Sequence, residues 1–133
     1  MKEMIFDRIR KKYVTLTPEE QIRQKMVLFL TREKKFPESL LSIERKIVDN
    51  TNIRSLRTDI VVYEKDSHTP FILVECKSEK VKITHQAVEQ IMEYNSLINA
   101  KFLVLTNGKE VLCFENENEN GKYKLTKIPN YKN

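Results

Sequence analysis

The sequence predicts an α/β fold with the element order α-β-β-β-α-β, a mixed sheet flanked by helices and extended by a C-terminal β-hairpin. Three observations carry this. A hydroxyl and a proline, Thr17-Pro18, open an apolar series at helical spacing. Three apolar, strand-like runs then follow one another between residues 40 and 78. A second amphipathic stretch at 84–99 leads directly into another apolar run at 100–106.

The first helix starts at Thr17 because its hydroxyl can cap free backbone amides, Pro18 suits the first helical position, and Glu19 and Glu20 sit beside the positive end of the helix dipole. Ile22, Met26, Leu28, Phe29 and Leu30 form its expected inner face, and Pro37 sets its limit. Residues 40–48 read as a strand and 49–52 (DNTN) as a turn, since Asp and Asn side chains bond locally to the backbone. Residues 57–65 and 71–78 read as the second and third strands of an antiparallel meander. Ala87, Val88, Ile91, Met92, Asn95 and Ile98 give the second helix its inner face. The fourth strand, 100–106, should run parallel to the third, because a helical crossover joins parallel neighbours. Asn107-Gly108 predicts a two-residue hairpin into 110–114, and the polar run 115–121 a loop into a last strand near 123–128.

One domain is expected over residues 1–133, with its core at about 17–114, because 133 residues with 40% hydrophobic content fill one core and leave too little for a second. No apolar run is long enough to span a bilayer and residues 1–13 lack a signal-peptide pattern, so no membrane and a cytoplasmic location are expected. Cys76 and Cys113 lie in apolar runs and read as buried, reduced thiols. The net charge of +5 is uneven: residues 1–58 hold 14 basic and 8 acidic side chains, residues 59–133 hold 10 and 11. Arg8, Arg10, Lys11 and Lys12 form a basic run suited to a phosphate backbone, or equally a solvated face.

The informative anomaly is charge inside core strands. Glu75 and Lys77 alternate with Val74 and Cys76, so they share a strand face, and Asp59 precedes Ile60-Val61-Val62 in the neighbouring run. Pairing of the two strands would bring Asp59 beside Glu75. Two close carboxylates in a partly dry site repel one another, and a divalent cation removes that cost. Hard oxygen ligands, including the Cys76 carbonyl, suit Mg²⁺ or Mn²⁺ better than Zn²⁺. Such a metal with Lys77 beside it is the equipment of phosphodiester hydrolysis. The other reading of the same residues is a Glu–Lys ion pair at a solvent-facing strand end.

The segments LTPEEQIRQ, SIERKI, RTDIVVYE, ILVECKS, VEQIMEYN and VLTNG together resemble the N-terminal nuclease domain of type I restriction enzyme R subunits, in a short stand-alone form, from about residue 6 to residue 114. That family has the restriction-endonuclease-like PD-(D/E)xK fold. The resemblance implies a metal-dependent DNA endonuclease in restriction, defence or repair, with Asp59, Glu75 and Lys77 as catalytic acid, second acid and lysine. It maps Glu20 onto the helix-one acid that helps hold the metal, with Glu19 adjacent. It assigns Gln90 and Tyr94, one helical turn apart, together with Arg23 and Arg57, to contacts with DNA. Gln24, Glu44 and Thr106-Asn107-Gly108 match in softer roles. Thr58 stands where the superfamily motif has proline. With Gly108 and Gly121 its only glycines, the chain has no phosphate-binding loop for ATP, so a motor would reside on a separate motor or specificity subunit. A homodimer is a further expected assembly, and a non-cleaving nucleic-acid-binding module is the alternative function. His68 and His85 lack partners at zinc-ligand spacing.

Overall fold

The computed structural model describes residues 2–44, 46–49, 54–117 and 121–132, with the backbone alone at 46–49 and 54–56. The chain begins with an antiparallel hairpin, β1 (Met4–Asp7) and β2 (Lys12–Thr15). Helix α1 (Pro18–Leu28) runs into a wider π turn (Phe29–Glu33), and a short 3₁₀ turn (Glu38–Leu40) leads to β3 (Leu41–Ile43). A second hairpin, β4 (Lys46–Asp49) and β5 (Arg54–Arg57), precedes β6 (Ile60–Tyr63) and β7 (Pro70–Cys76). Helix α2 (His85–Ile98), β8 (Phe102–Thr106), β9 (Val111–Asn116) and β10 (Tyr123–Leu125) complete the order.

The main sheet has six strands in the order β10-β9-β8-β7-β6-β3. Strands β7 and β8 are parallel, as the crossover through α2 predicts, and every other neighbouring pair is antiparallel. The expected meander is therefore β3-β6-β7. Alternation along the strands divides the core. Ile60, Val62, Ile72, Val74, Cys76 and Val104 pack with Ile22, Met26 and Val27 of α1 and Leu30 of the π turn, whereas Val61, Tyr63, Leu73 and Leu103 pack with Ile91 and Ile98 of α2. The helices thus cover opposite faces, and the strand residues are apolar on both sides because both sides are dry. No helix among the described residues is long and apolar enough to cross a membrane.

Both helix starts are hydroxyl-capped: Thr17 Oγ1 accepts from the Glu20 amide at 3.0 Å and Thr84 Oγ1 from the Ala87 amide at 3.1 Å. The buried Asn95 closes α2, its side chain accepting from the Ala100 amide at 2.8 Å and donating to the Ala100 carbonyl at 2.9 Å and the Tyr123 hydroxyl at 3.1 Å.

Several expectations are corrected. The run 40–48 is not one strand: β3 ends at Ile43, and Glu44 takes a left-handed φ of 53° that turns the chain out of the sheet. Residue 49 closes β4 rather than opening a turn, and 50–52 lie outside the described residues. The run 57–65 divides at Thr58-Asp59, between β5 and β6. Leu28 and Phe29 are 40% and 36% exposed, since the π turn rotates the end of α1 away from the core. The connection after β8 spans four residues, because Thr106 pairs with Val111 and the Asn107 side chain accepts the amides of Lys109 and Glu110. The last strand stops at Leu125.

Candidate active site

Asp59 lies just before β6, and the pairing of Ile60 with Val74 sets it opposite Glu75 near the end of β7. Two atoms hold it. Arg23 Nη2 donates to Asp59 Oδ1 at 2.7 Å, and the Cys76 amide donates to Oδ2 at 2.8 Å. Past Cys76 the backbone stays aligned, with the Lys77 amide donating to the Thr106 carbonyl at 2.8 Å. The expected convergence of Asp59 and Glu75 is thus present in the register itself.

The two neighbouring carboxyls are pushed in opposite directions. Burial first, then the hydrogen bond to Asp59 and the charge of Asp59, push Glu75 up to about 8, with Lys77 pulling the other way. Burial also opposes ionisation of Asp59, but hydrogen bonds from Glu75, Arg23 and the Cys76 amide together outweigh it and hold Asp59 below its ordinary value. Glu19 is raised, by burial and then by the charge of Asp59, which its side chain also meets through a hydrogen bond; Arg23 and Lys77 oppose that rise. The Cys76 thiol is driven up by burial and stays protonated.

Glu19, not Glu20, is therefore the helix-one acid that meets Asp59. Glu20 is buried and saturated: its Oε1 accepts from Arg23 Nη1 at 2.6 Å and Arg10 Nη2 at 2.8 Å, and its Oε2 accepts from Gln24 Nε2 at 3.0 Å. Arg10, Arg23 and Gln24 therefore engage both Glu20 oxygens in this arrangement, while Glu19 is the acid turned toward Asp59. Arg23, expected to contact DNA, is 6% exposed, with its guanidinium between Glu20 and Asp59 at the wall of the neighbouring groove. Arg10, expected on a basic face, is turned inward onto Asp7, Glu20 and Glu44.

Arg57 is exposed, its Nη1 3.2 Å from Glu44 Oε2. Gln90 and Tyr94 share the outer side of α2, the Gln90 amide donating to the Tyr94 hydroxyl at 3.2 Å. Sequence reasoning missed Asp7 and Arg10. Their only trace is an acid within a basic N-terminal run, which does not identify its partners.

Among the described residues no three acidic, His or Cys side chains stand as a ready-made metal cage. The donor chemistry nonetheless fits a hard divalent cation: Asp59 and Glu75 are adjacent, Glu19 meets Asp59, and the raised Glu75 and Glu19 mark an excess of negative charge that a cation would neutralise. A groove of about 530 Å³ opens beside the cluster, between Lys12, Tyr13 and Thr15 of β2 and the cap residue Thr17 and Glu19 at the start of α1. A second cavity, of about 540 Å³ among Phe36, Tyr63, Phe71 and Tyr131, lies at the other end of the strands and touches none of these residues.

No curated protein matches the chain in sequence. Among solved structures, the chain resembles a candidate nuclease of the DUF820 group from Anabaena variabilis ATCC 29413, at 12% identity and a TM-score of 0.53, over 92% of this chain and 75% of that one. It also resembles a fragment of a candidate HsdR subunit of a type I restriction enzyme from Vibrio vulnificus YJ016, at 21% identity and a TM-score of 0.56, over 86% of this chain but only 24% of that one. At these identities the likeness concerns the fold, which is nuclease-like. The family model of the type I restriction enzyme R protein N terminus (HSDR_N) matches residues 18–129, the greater part of the chain from α1 through the last strand, and the protein belongs to that family.

Proposed function

We propose that this chain is a metal-dependent DNA endonuclease that hydrolyses phosphodiester bonds, with Asp59, Glu75 and Lys77 as its catalytic centre. The observation that carries the reading is the register that sets Asp59 against Glu75, with Lys77 close enough to act on Glu75. Family membership supports it.

Asp59, Glu75 and the Cys76 carbonyl would hold Mg²⁺ or Mn²⁺, with Glu19 in the place the resemblance gave to Glu20. The metal, when bound, supplies charge to polarise a phosphoryl oxygen and to acidify water. The protein's own residues do the rest. Asp59 is kept ionised and fixed by Arg23 and the Cys76 amide, so one ligand is ready before any cation arrives. Glu75 gives up its proton on metal binding, which couples assembly of the site to pH. The Lys77 ammonium orients the attacking water and sits beside the charge that grows on the phosphate. Arg57, Gln90 and Tyr94 lie on the outside and suit contacts along a DNA backbone. Cooperation with a separate motor or specificity subunit, and dimerisation, belong to this reading, which family membership supports.

The test is incubation with supercoiled, linear, branched and single-stranded DNA in Mg²⁺ or Mn²⁺. Lys77→Ala should lower cleavage by about 10²–10³-fold while Mn²⁺ still binds by calorimetry. Equal cutting by wild type and Lys77→Ala, or none by either, would sink the reading. Mn²⁺ heat that is absent from wild type, or unchanged in Asp59→Ala, would instead favour a non-cleaving binding module.

A further inference from the structure

The family match begins at residue 18, so the N-terminal hairpin lies outside it. Yet the hairpin is stitched to the catalytic acid by a chain of buried ion pairs. Asp7, fully buried at the end of β1, accepts from Arg10 Nε at 2.6 Å and from Gln24 Nε2 at 3.2 Å. Arg10 Nη2 donates to Glu20 at 2.8 Å, and its Nη1 donates to Glu44. Glu20 accepts from Arg23 Nη1 at 2.6 Å, and the other end of that guanidinium holds Asp59.

We infer that Arg10 is a positioning residue for the candidate catalytic centre, acting on Asp59 through Glu20 and Arg23, so that the hairpin outside the family region is part of the catalytic machinery. The argument is one of charge and geometry. Arg10 spends its three nitrogens on three different carboxylates, a fork that a single ammonium cannot reproduce. Without it, Asp7, Glu20 and Glu44 each lose a cation; Glu44 retains Arg57 at 3.2 Å, and Arg23 is the cation left to serve Glu20 and the freed Oε1 of Glu44. Arg23 already stands 3.4 Å from Glu44 Oε1. Movement toward these acids is movement away from Asp59, and a buried charge that loses its partner is strongly disfavoured.

The Cys76 amide reports the outcome without metal or DNA, because its partner is the Asp59 side chain. In the ¹⁵N-labelled full chain, Arg10→Gln should speed hydrogen exchange at Cys76 by about tenfold and shift its resonance, while Leu103 in central β8 is unchanged. Arg10→Lys should restore little. Asp7→Asn, which removes the charge and the Oδ2 acceptor shared by Arg10 Nε and Gln24 Nε2, should move Cys76 in the same direction, and it serves as the readout if Arg10→Gln does not fold. A hairpin that is merely tethered would disturb Ile9 and its neighbours and leave Cys76 at its wild-type rate, which overturns the inference.

The claim about catalysis rests on the nuclease reading and is tested separately. Where wild type cuts DNA, Arg10→Gln should lower kcat by tenfold or more, roughly, with KM within about twofold, and an effect confined to KM overturns the positioning role. If wild type neither cuts DNA nor binds Mn²⁺, the nuclease reading falls, while the Cys76 exchange still decides the relay.

Discussion

Asp59 and Glu75 face each other across the end of the β6–β7 pair, Asp59 held below its ordinary value and Glu75 pushed up to about 8 by burial and by Asp59. The consequence for stability has a definite sign. Glu75 titrates at its ordinary value of 4.5 in the unfolded chain and near 8 in the folded one, so between these values the folded state holds a proton that the unfolded state has released. The metal-free protein should therefore lose stability as pH rises through that window, on the order of a few kcal/mol. Urea titrations at intervals between these two pKa values check this. Glu75→Gln should flatten the slope, and saturating Mg²⁺ should recover stability at the alkaline end. A wild-type slope equal to that of Glu75→Gln would show that Glu75 is not raised in the folded state.

Glu19 and Glu20 are neighbours in sequence with opposite fates. Glu19 is half exposed and meets Asp59, so Glu19→Gln should weaken Mn²⁺ binding with little change in folding. Glu20 is buried between two guanidinium groups, so Glu20→Gln should destabilise the fold by roughly 2–4 kcal/mol. Calorimetric Mn²⁺ titration alongside thermal melts of the two variants separates them, and the reverse pattern would restore Glu20 as the ligand.

Arg23 carries compensation for two buried acids at once, with Nη1 on Glu20 and Nη2 on Asp59. Its removal leaves both uncompensated. Arg23→Ala should cost about 3–5 kcal/mol in chemical denaturation at neutral pH. Protonating the orphaned acids lowers that penalty, so the deficit should narrow as pH falls toward 4. A cost that is small and independent of pH would mean that water already screens this pair.

Gly108 sits at a φ of 89°, and a Cβ placed there would come 2.5 Å from Ile22 Cδ1 on α1. Gly108→Ala therefore meets both backbone strain and the helix that carries Glu19 and Arg23. A loss of roughly 1–3 kcal/mol is expected in denaturant midpoints, together with altered ¹H–¹⁵N resonances for α1.

The core of the fold was legible because it rests on periodic signals. Thr17-Pro18 and Thr84 marked helix starts that the capping bonds reproduce, and the two-sided apolar runs around Val61, Leu73 and Leu103 marked strands buried on both faces. The misreadings share a physical cause, which is a local pattern overridden by a distant contact. Residues 40–48 look like one strand, but the Glu44 amide bonds to the Asp59 carbonyl at 3.0 Å and its carboxylate meets Arg10 and Arg57, so the chain turns there. The N-terminal hairpin escaped notice because its exposed Met4, Phe6 and Tyr13 bury no inner face, and Tyr13 is 68% exposed.

By itself the sequence determined where both helices start, the parallel β7–β8 pair and the placement of Asp59, Glu75 and Lys77 at one end of neighbouring strands, because capping, alternation and register act over a few residues. Only the tertiary structure decided which acid of α1 faces Asp59, and that Arg10 and Arg23 point inward rather than toward solvent. Long charged side chains reach several ångströms in any direction, and the direction taken depends on which carboxylates distant segments bring within reach.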